Sequence, residues 1–158
     1  MGIIIFLITA LLDIAADQAT KIWIHSTLSQ GQSLFDWGFF HFTLVFNNGS
    51  AFGLIHNANL LLAVVEGIGA LLVLGVLLYT EKRRKFWGGN WGAVALGLVF
   101  AGAVGNLIDR IYLGYVVDFI DLTYWPVFNI ADSSVTVGLI IIAVLVIFKI
   151  KLVEKANG

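Results

Sequence analysis

The 158-residue chain contains no cysteine and only one proline, Pro126. Without cysteine it can form no disulfide, no thiolate metal site and no thiol nucleophile. Charge is also scarce, because only 12% of the residues are charged and the formal net charge is −1. Nucleic-acid binding therefore has no electrostatic basis. The three histidines, His25, His41 and His56, lack the spacing of metal ligands, so we expect no metal and no cofactor.

Hydrophobic residues are what the chain has in excess, at 59% with a mean hydropathy of +0.95. A helix needs about 20 apolar residues to cross a bilayer, and runs of that kind predict spans at about 2–24, 59–80, 91–112 and 130–150. The first run lacks a basic start and continues through Asp17 and Lys21, so we predict a retained span rather than a cleaved signal peptide. We expect one α-helical, membrane-embedded domain over residues 1–158.

The basic residues orient these spans. Seven of the nine lie on one side of the predicted membrane: Lys82, Arg83, Arg84, Lys85, Lys149, Lys151 and Lys155. The positive-inside rule makes that side cytoplasmic. Both termini are then cytoplasmic, and the connectors 26–57 and 113–129 face outward. In the first of these connectors, the apolar run 39–46 predicts a small extracytoplasmic β-sheet at about 33–54, between spans one and two, lying on the membrane surface.

Asp118 and Asp132 are the most informative residues. Each stands beside the end of a span, and only a short connector separates them. Carboxylates near a bilayer are costly, and two that share a site can divide one proton and activate one water. Asp118 lies in an apolar stretch with no obvious structural task, whereas Asp132 could be the N-cap of span four unless Asn129 fills that position. Asp121 could face water, and we expect it to lie outside the site.

The remaining polar residues of the spans allow two interpretations each. Asp13, Asp17 and Lys21 share one face of span one, either as a structural ion pair or as groups that orient the site or bind a headgroup. On span three, Gly102 and Gly105 stand beside three polar residues, Asn106, Asp109 and Arg110. This cluster is either a helix-packing face capped by an ion pair or the polar wall of a pocket.

Five stretches carry a resemblance to a known family and occur in its order: 17–21 (DQATK), 47–53 (NNGSAFG), 102–110 (GAVGNLIDR), 116–119 (VVDF) and 128–133 (FNIADS). Through them the chain resembles the lipoprotein signal peptidases, or signal peptidase II. The resemblance implies an aspartyl endopeptidase of the bacterial cytoplasmic membrane, active toward the outer leaflet. It would cleave prolipoproteins just before their diacylglyceryl-modified cysteine.

The resemblance also implies roles for individual residues. Asp118 and Asp132 match the catalytic pair. Five residues match substrate-binding positions: Asn47, Gly49, Asn106, Arg110 and Asn129. Three match supporting polar positions: Asp17, Lys21 and Asp109. The predicted sheet corresponds to the family's β-cradle. The expected partners are the lipid-modified precursor and membrane lipids, and we expect a monomer.

Two points stay open. Residues 119–131, between the two aspartates, form a shorter connector than is usual in the family, where this region carries a helix that covers the site, so the shape of the lid is not predicted. The competing class is a small proton-coupled transporter or channel subunit, which Glu66, the lone charge of span two, favours. The clustering of most charges at one end of the spans favours the enzyme. In that enzyme we expect Asp132 to be the resting base and Asp118 to be neutral.

Overall fold

The computed structural model describes residues 2–35, 37–49, 58–82 and 88–157, with side chains up to residue 148. The described residues form four long helices: α1 (Gly2–Thr27), α2 (Asn59–Lys82), α3 (Gly89–Tyr112) and α4 (Ile130–Asn157). Each contains a window with a mean hydropathy between 1.8 and 2.6 and is long enough to cross a bilayer. The predicted class, a four-span α-helical membrane protein with a small sheet, is confirmed. Within the bilayer, only helices satisfy their backbone locally in such a chain.

Helix α3 lies at the centre of the bundle. Half of its apolar window is buried, against 17% in each of the other three helices. Small residues on α3 permit this close packing. A side chain on Gly102 would collide with the carbonyl oxygen of Ala131 on α4, and a Cβ on Gly97 would come within 2.9 Å of Thr9 on α1. Gly102, which the sequence pattern placed at a packing face, therefore does bring the backbones of α3 and α4 together.

The sheet has three antiparallel strands in the order β1-β2-β3: β1 (Ser33–Leu34), β2 (His41–Asn47) and β3 (Val116–Asp121). Strand β3 belongs to the connector between α3 and α4, so placing the whole sheet between spans one and two was wrong. No local turn signal predicts this pairing, because the partner of Asp118 is Val45, far away in the chain. The last part of the predicted sheet, 50–54, lies outside the described residues.

The pleat of β3 separates its side chains onto two faces. Val117 and Phe119 pack with Leu44 of β2 against Ile24 and Leu28 at the end of α1. Val116 and Asp118 point to the opposite face, where they line a cavity. The alternation thus anchors the sheet on the helix bundle with one set of residues and presents Asp118 to the cavity with the other.

Aromatic side chains are exposed around the sheet end of the molecule. They are Trp23, Phe35, Trp37, Phe39 and Trp125. Among them, Trp23 and Phe35 each pack against Phe42 of β2 with ring centroids 6.4 Å apart, and Phe35 stacks on Trp37. Exposed indole and phenyl rings of this kind favour the boundary between hydrocarbon and water.

Candidate active site

A cavity of about 770 Å³ opens between α2, α3, α4 and the sheet. Its walls are mainly apolar, but they include eight residues with amide, hydroxyl or charged side chains: Asn47, Glu66, Asn106, Arg110, Asp118, Asp132, Ser133 and Thr136. Both aspartates singled out from the sequence therefore face one space. Such a mainly apolar cleft with a few convergent polar groups is the usual form of a small-molecule or substrate site.

Asp118 is held by two amides at the floor of this cavity. Its side chain accepts a hydrogen bond from Asn47 Nδ2 at Oδ2 and another from Asn129 Nδ2 at Oδ1, both at 2.8 Å. Only 1% of Asp118 is exposed. Burial, reinforced by the negative charge of Asp132, raises the pKa of Asp118 to about 7, although the two amide hydrogen bonds act in the opposite direction. This carboxyl group can therefore keep its proton near neutral pH.

Asp132 stands in the first turn of α4. Asn129 is the cap of this helix, since its Oδ1 accepts the N–H of Asp132 at 2.8 Å. Asp132 completes a reciprocal capping box, because its Oδ2 accepts the N–H of Asn129 at 3.2 Å. The alternative in which Asp132 is itself the N-cap is therefore wrong. Its Oδ1 accepts a further hydrogen bond from Asn106 Nδ2 at 2.8 Å.

Two buried amides link the carboxylates. Asn129 Nδ2 donates both to Asp118 and, at 3.0 Å, to Asn106 Oδ1, and Asn106 in turn donates to Asp132. Asn129 is fully buried. A chain of hydrogen bonds thus runs from one carboxylate to the other through Asn129 and Asn106. It fixes the position of each aspartate relative to its partner.

Lys21 on α1 is the centre of a polar network that also includes residues of α3, α4 and β3. Its Nζ lies 2.8 Å from Asp17 Oδ2 and 3.1 Å from Asp109 Oδ2, and it donates to Asn106 Oδ1 at 3.0 Å. Asp17 Oδ1 accepts the N–H of Ala131 at the start of α4, and Asp109 Oδ2 accepts the N–H of Val117 in β3. Because these carboxylates bind backbone and Lys21, the geometry favours a structural and orienting role over headgroup binding.

The face of span one also carries Asp13, a turn below Asp17. Its Oδ1 accepts a hydrogen bond from Ser134 on α4 at 2.8 Å. The structure therefore separates Asp13 from Lys21, which has its own carboxylate partners. This face of α1 therefore contacts α4 twice, through Asp13 to Ser134 and through Asp17 to the N–H of Ala131.

Arg110 closes the cavity on the side of α2. Its Nη1 lies 2.7 Å from Glu66 Oε1, and its Nη2 donates to the carbonyl of Gly49 at 3.4 Å. The N–H of Gly49 in turn binds Asn47 Oδ1 at 3.0 Å. Glu66 lines the same cavity, although the sequence pattern associated it with the competing transporter class and not with the enzyme site. The signal was present, since a lone carboxylate in an apolar span marks a functional position, but the sequence did not indicate its partner.

Asp121 lies away from this cavity, as expected. Its Oδ2 accepts the hydroxyl of Thr43 at 2.8 Å, and its Oδ1 accepts the N–H of Thr123 at 2.9 Å. Both contacts stabilise the end of β3 and the turn that follows. The carboxylate therefore has a structural task.

The connector from β3 to α4 covers one side of the cavity without a helix in residues 113–129. After β3 the chain turns back, and Phe128 pairs with Ile120 through hydrogen bonds of 2.7 and 3.1 Å. Trp125 and Pro126, at the tip of this turn, line the cavity. The helix that the resemblance implied for this region is absent from the described connector, because too few residues remain once the strand and its return are formed.

Four long apolar helices, with two carboxylates that amides link at one cavity, define the class: a membrane protein with paired acid–base groups in its cavity. A model of the family described as "Signal peptidase (SPase) II" matches residues 9–148. The lipoprotein signal peptidase of Moorella thermoacetica is 42% identical over 138 residues, covering 87% of this chain and 89% of that protein. One from Dehalococcoides mccartyi is also 42% identical, over 144 residues, with coverage of 88% and 86%.

Solved structures agree. A bacterial membrane enzyme determined by the in meso method at 2.3 Å superposes with a TM-score of 0.79 at 33% identity, covering 90% of this chain and 87% of the other. A second, at 1.9 Å, gives a TM-score of 0.75 at 34% identity, with coverage of 89% and 91%. The chain therefore belongs to the signal peptidase II family and is a multi-pass membrane peptidase. The transporter alternative is wrong, and Glu66, which favoured it, is paired with Arg110.

Proposed function

We propose that this peptidase removes the signal peptide from prolipoproteins, cleaving before the diacylglyceryl-modified cysteine with a water held between Asp118 and Asp132. The observation that carries the proposal is the linkage of both carboxylates through Asn129 and Asn106 at one cavity. The names of the relatives supply the substrate class, since they are lipoprotein signal peptidases.

The two aspartates lie in different environments, which assign the role of acid to one and the role of base to the other. Asp118, whose pKa is raised to about 7 by burial, is the neutral acid. Asp132 is the base, because two N–H groups donate to it at the positive end of α4. Asp132 takes a proton from the water, whose oxygen attacks the scissile carbonyl carbon, and Asp118 donates its proton to the carbonyl oxygen. When the carbon–nitrogen bond breaks, Asp132 gives its proton to the leaving amine, and Asp118 takes a proton back from one hydroxyl of the intermediate as the carboxyl product forms.

The other polar groups of the cavity position the substrate in this proposal. Asn47, Gly49 and Arg110 lie along one wall, and Asn106 and Asn129 hold the carboxylates, so the extended peptide would pass between these two sets. The supporting residues Asp17, Lys21 and Asp109 stand behind them.

We further propose that the site faces the outer leaflet and that both termini are cytoplasmic. The dyad, the sheet and the exposed aromatic rings share one end of the helices, whereas Lys82 stands at the opposite end of α2. The acyl chains of the modified cysteine can then stay in lipid while the peptide bond reaches Asp118 and Asp132. We also propose that the chain is a single membrane-embedded domain and acts as a monomer.

The test is cleavage of a lipidated precursor by purified Asp118→Asn and Asp132→Asn variants. We expect both to lose activity by several orders of magnitude, because the proposed reaction requires both the general acid and the general base. Asp121→Asn is the matched control and should be close to wild type, since Asp121 lies away from the cavity and binds Thr43 and Thr123. Wild-type activity in either dyad variant would refute the mechanism.

A further inference from the structure

The ion pair of Glu66 and Arg110 leaves one atom on each side chain without a partner. Their side chains are only 18% and 6% exposed. Within the part of the chain that the structure describes, Glu66 Oε2 and Arg110 Nε are buried and make no hydrogen bond. Buried polar groups that stay unpaired cost free energy, so an orphaned acceptor and an orphaned donor side by side require an explanation.

These two atoms belong to residues that line the large cavity together with Asp118 and Asp132. Leu62 and Gly69, one turn before and after Glu66 on α2, line the same cavity. Gly69 has no side chain and Leu62 no polar atom, so Glu66 is the sole hydrogen-bonding group on this face of α2 among the described lining residues. The unpaired oxygen thus belongs to the side chain with which this face of α2 can offer a hydrogen bond to an occupant of the cavity.

A carboxylate oxygen that accepts and a guanidinium nitrogen that donates are complementary to a peptide backbone, which carries one N–H donor and one C=O acceptor per residue. An extended segment lying between α2 and the dyad would satisfy both orphaned atoms. A lipid acyl chain would satisfy neither. The pair is therefore suited to the peptide part of a lipid-modified substrate.

We propose that Glu66 is a substrate-binding residue: it holds the guanidinium of Arg110 through Oε1, and its Oε2 accepts a backbone N–H of the bound signal peptide. Arg110 Nε donates to a carbonyl of the same segment. This inference rests on the proposed function, because it takes a precursor peptide as the occupant of the cavity.

The experiment compares wild type with Glu66→Gln on synthetic lipidated precursors, each with one backbone N–H near the cleavage site replaced by N-methyl. Glutamine can keep an oxygen toward Arg110 but then turns an NH₂ group toward the peptide N–H. On the unmodified precursor we expect Glu66→Gln to lose about tenfold in kcat/KM, mainly through KM, the loss typical of one charge-assisted hydrogen bond. Glu81→Gln is the control, since Glu81 lies at the other end of α2 and binds the N–H of Ile3.

The N-methyl series provides the decisive readout. For wild type, one N-methyl position should lose about tenfold in kcat/KM, and Glu66→Gln should show no further loss at that same position. A structural role would lower the activity of Glu66→Gln equally on every precursor, so parallel profiles for the two enzymes would overturn the inference. Because each enzyme is compared with itself across substrates, any decrease in the fraction of folded enzyme cancels from the ratio of kcat/KM values. If wild type does not cleave the unmodified precursor, the proposed function itself is overturned, and the inference about Glu66 falls with it.

Discussion

Replacing Asn47 by leucine should move the alkaline limb of the pH–activity profile upward. Asn47 Nδ2 donates to Asp118 Oδ2 at 2.8 Å, a hydrogen bond that stabilises the ionised form of the carboxyl group. Its loss raises the pKa of Asp118 above its present value of about 7. Since Asp118 is the neutral acid in our proposal, activity is present below this pKa and disappears as the pH rises through it.

The size of the shift follows from the hydrogen bond. A bond to a charged group contributes about 1.5–3 kcal/mol, and one pKa unit corresponds to about 1.36 kcal/mol. Asn47 is only half-buried, so water replaces part of the lost bond. We therefore expect the alkaline midpoint to rise by about one unit. The two aspartates titrate as a pair, and this midpoint reports the loss of the pair's last proton.

The assay is kcat/KM for a lipidated precursor as a function of pH, which reports the free enzyme. Asn47 also stands among the proposed substrate contacts, so the plateau will fall, but the midpoint is independent of the plateau. Asn48→Leu, at an exposed neighbouring position, is the control and should leave the midpoint in place. A midpoint that stays fixed or moves to lower pH in Asn47→Leu would refute Asp118 as the acid.

Three further predictions concern stability in detergent. Burial raises the pKa of Asp118 from 3.8 to about 7, so its favourable contribution is complete below pH 3.8 and is lost as the pH rises through 7. The Tm difference between Asp118→Asn and wild type should therefore be more positive at pH 8 than at pH 5, and equal differences would contradict the raised pKa. Lys21→Met leaves two buried carboxylates without their cation and should lower stability by about 3–5 kcal/mol. An unchanged Tm would show that the network is not structural. Gly102→Ala drives a methyl group into the carbonyl oxygen of Ala131 and should lower the Tm by several degrees, whereas Gly75→Ala on α2 meets no atom within 4 Å and should raise it slightly.

Much of the fold could be predicted because membrane helices are encoded locally. A run of apolar residues must satisfy its own backbone within the bilayer, so length and hydropathy alone predict α1 to α4. Strand β3 was not predicted, because it depends on contacts that are distant in the chain. Its hydrogen bonds go to β2, and residues 116–121 carry no local signal that distinguishes such a strand from an apolar loop.

The candidate site divides in the same way. Asp118 and Asp132 were singled out because a carboxylate in an apolar segment is costly wherever the chain folds, and motif order supplied the surrounding asparagines. Glu66 was noticed for the same cost but assigned to the wrong class of protein. Its partner Arg110 lies 44 residues away, and only the packing of α2 against α3 brings the two together.

The sequence by itself determined the number of spans, the polar groups that cannot be left in lipid, and the family. These follow from transfer free energies and motif order, which depend on residue type and local spacing. The tertiary structure decided which polar groups meet: that Asn129 caps α4 and holds Asp118, that Lys21 bridges Asp17 and Asp109, and that Glu66 faces the dyad cavity. Such pairings depend on helix rotation and strand register, which are set by the packing of the whole chain.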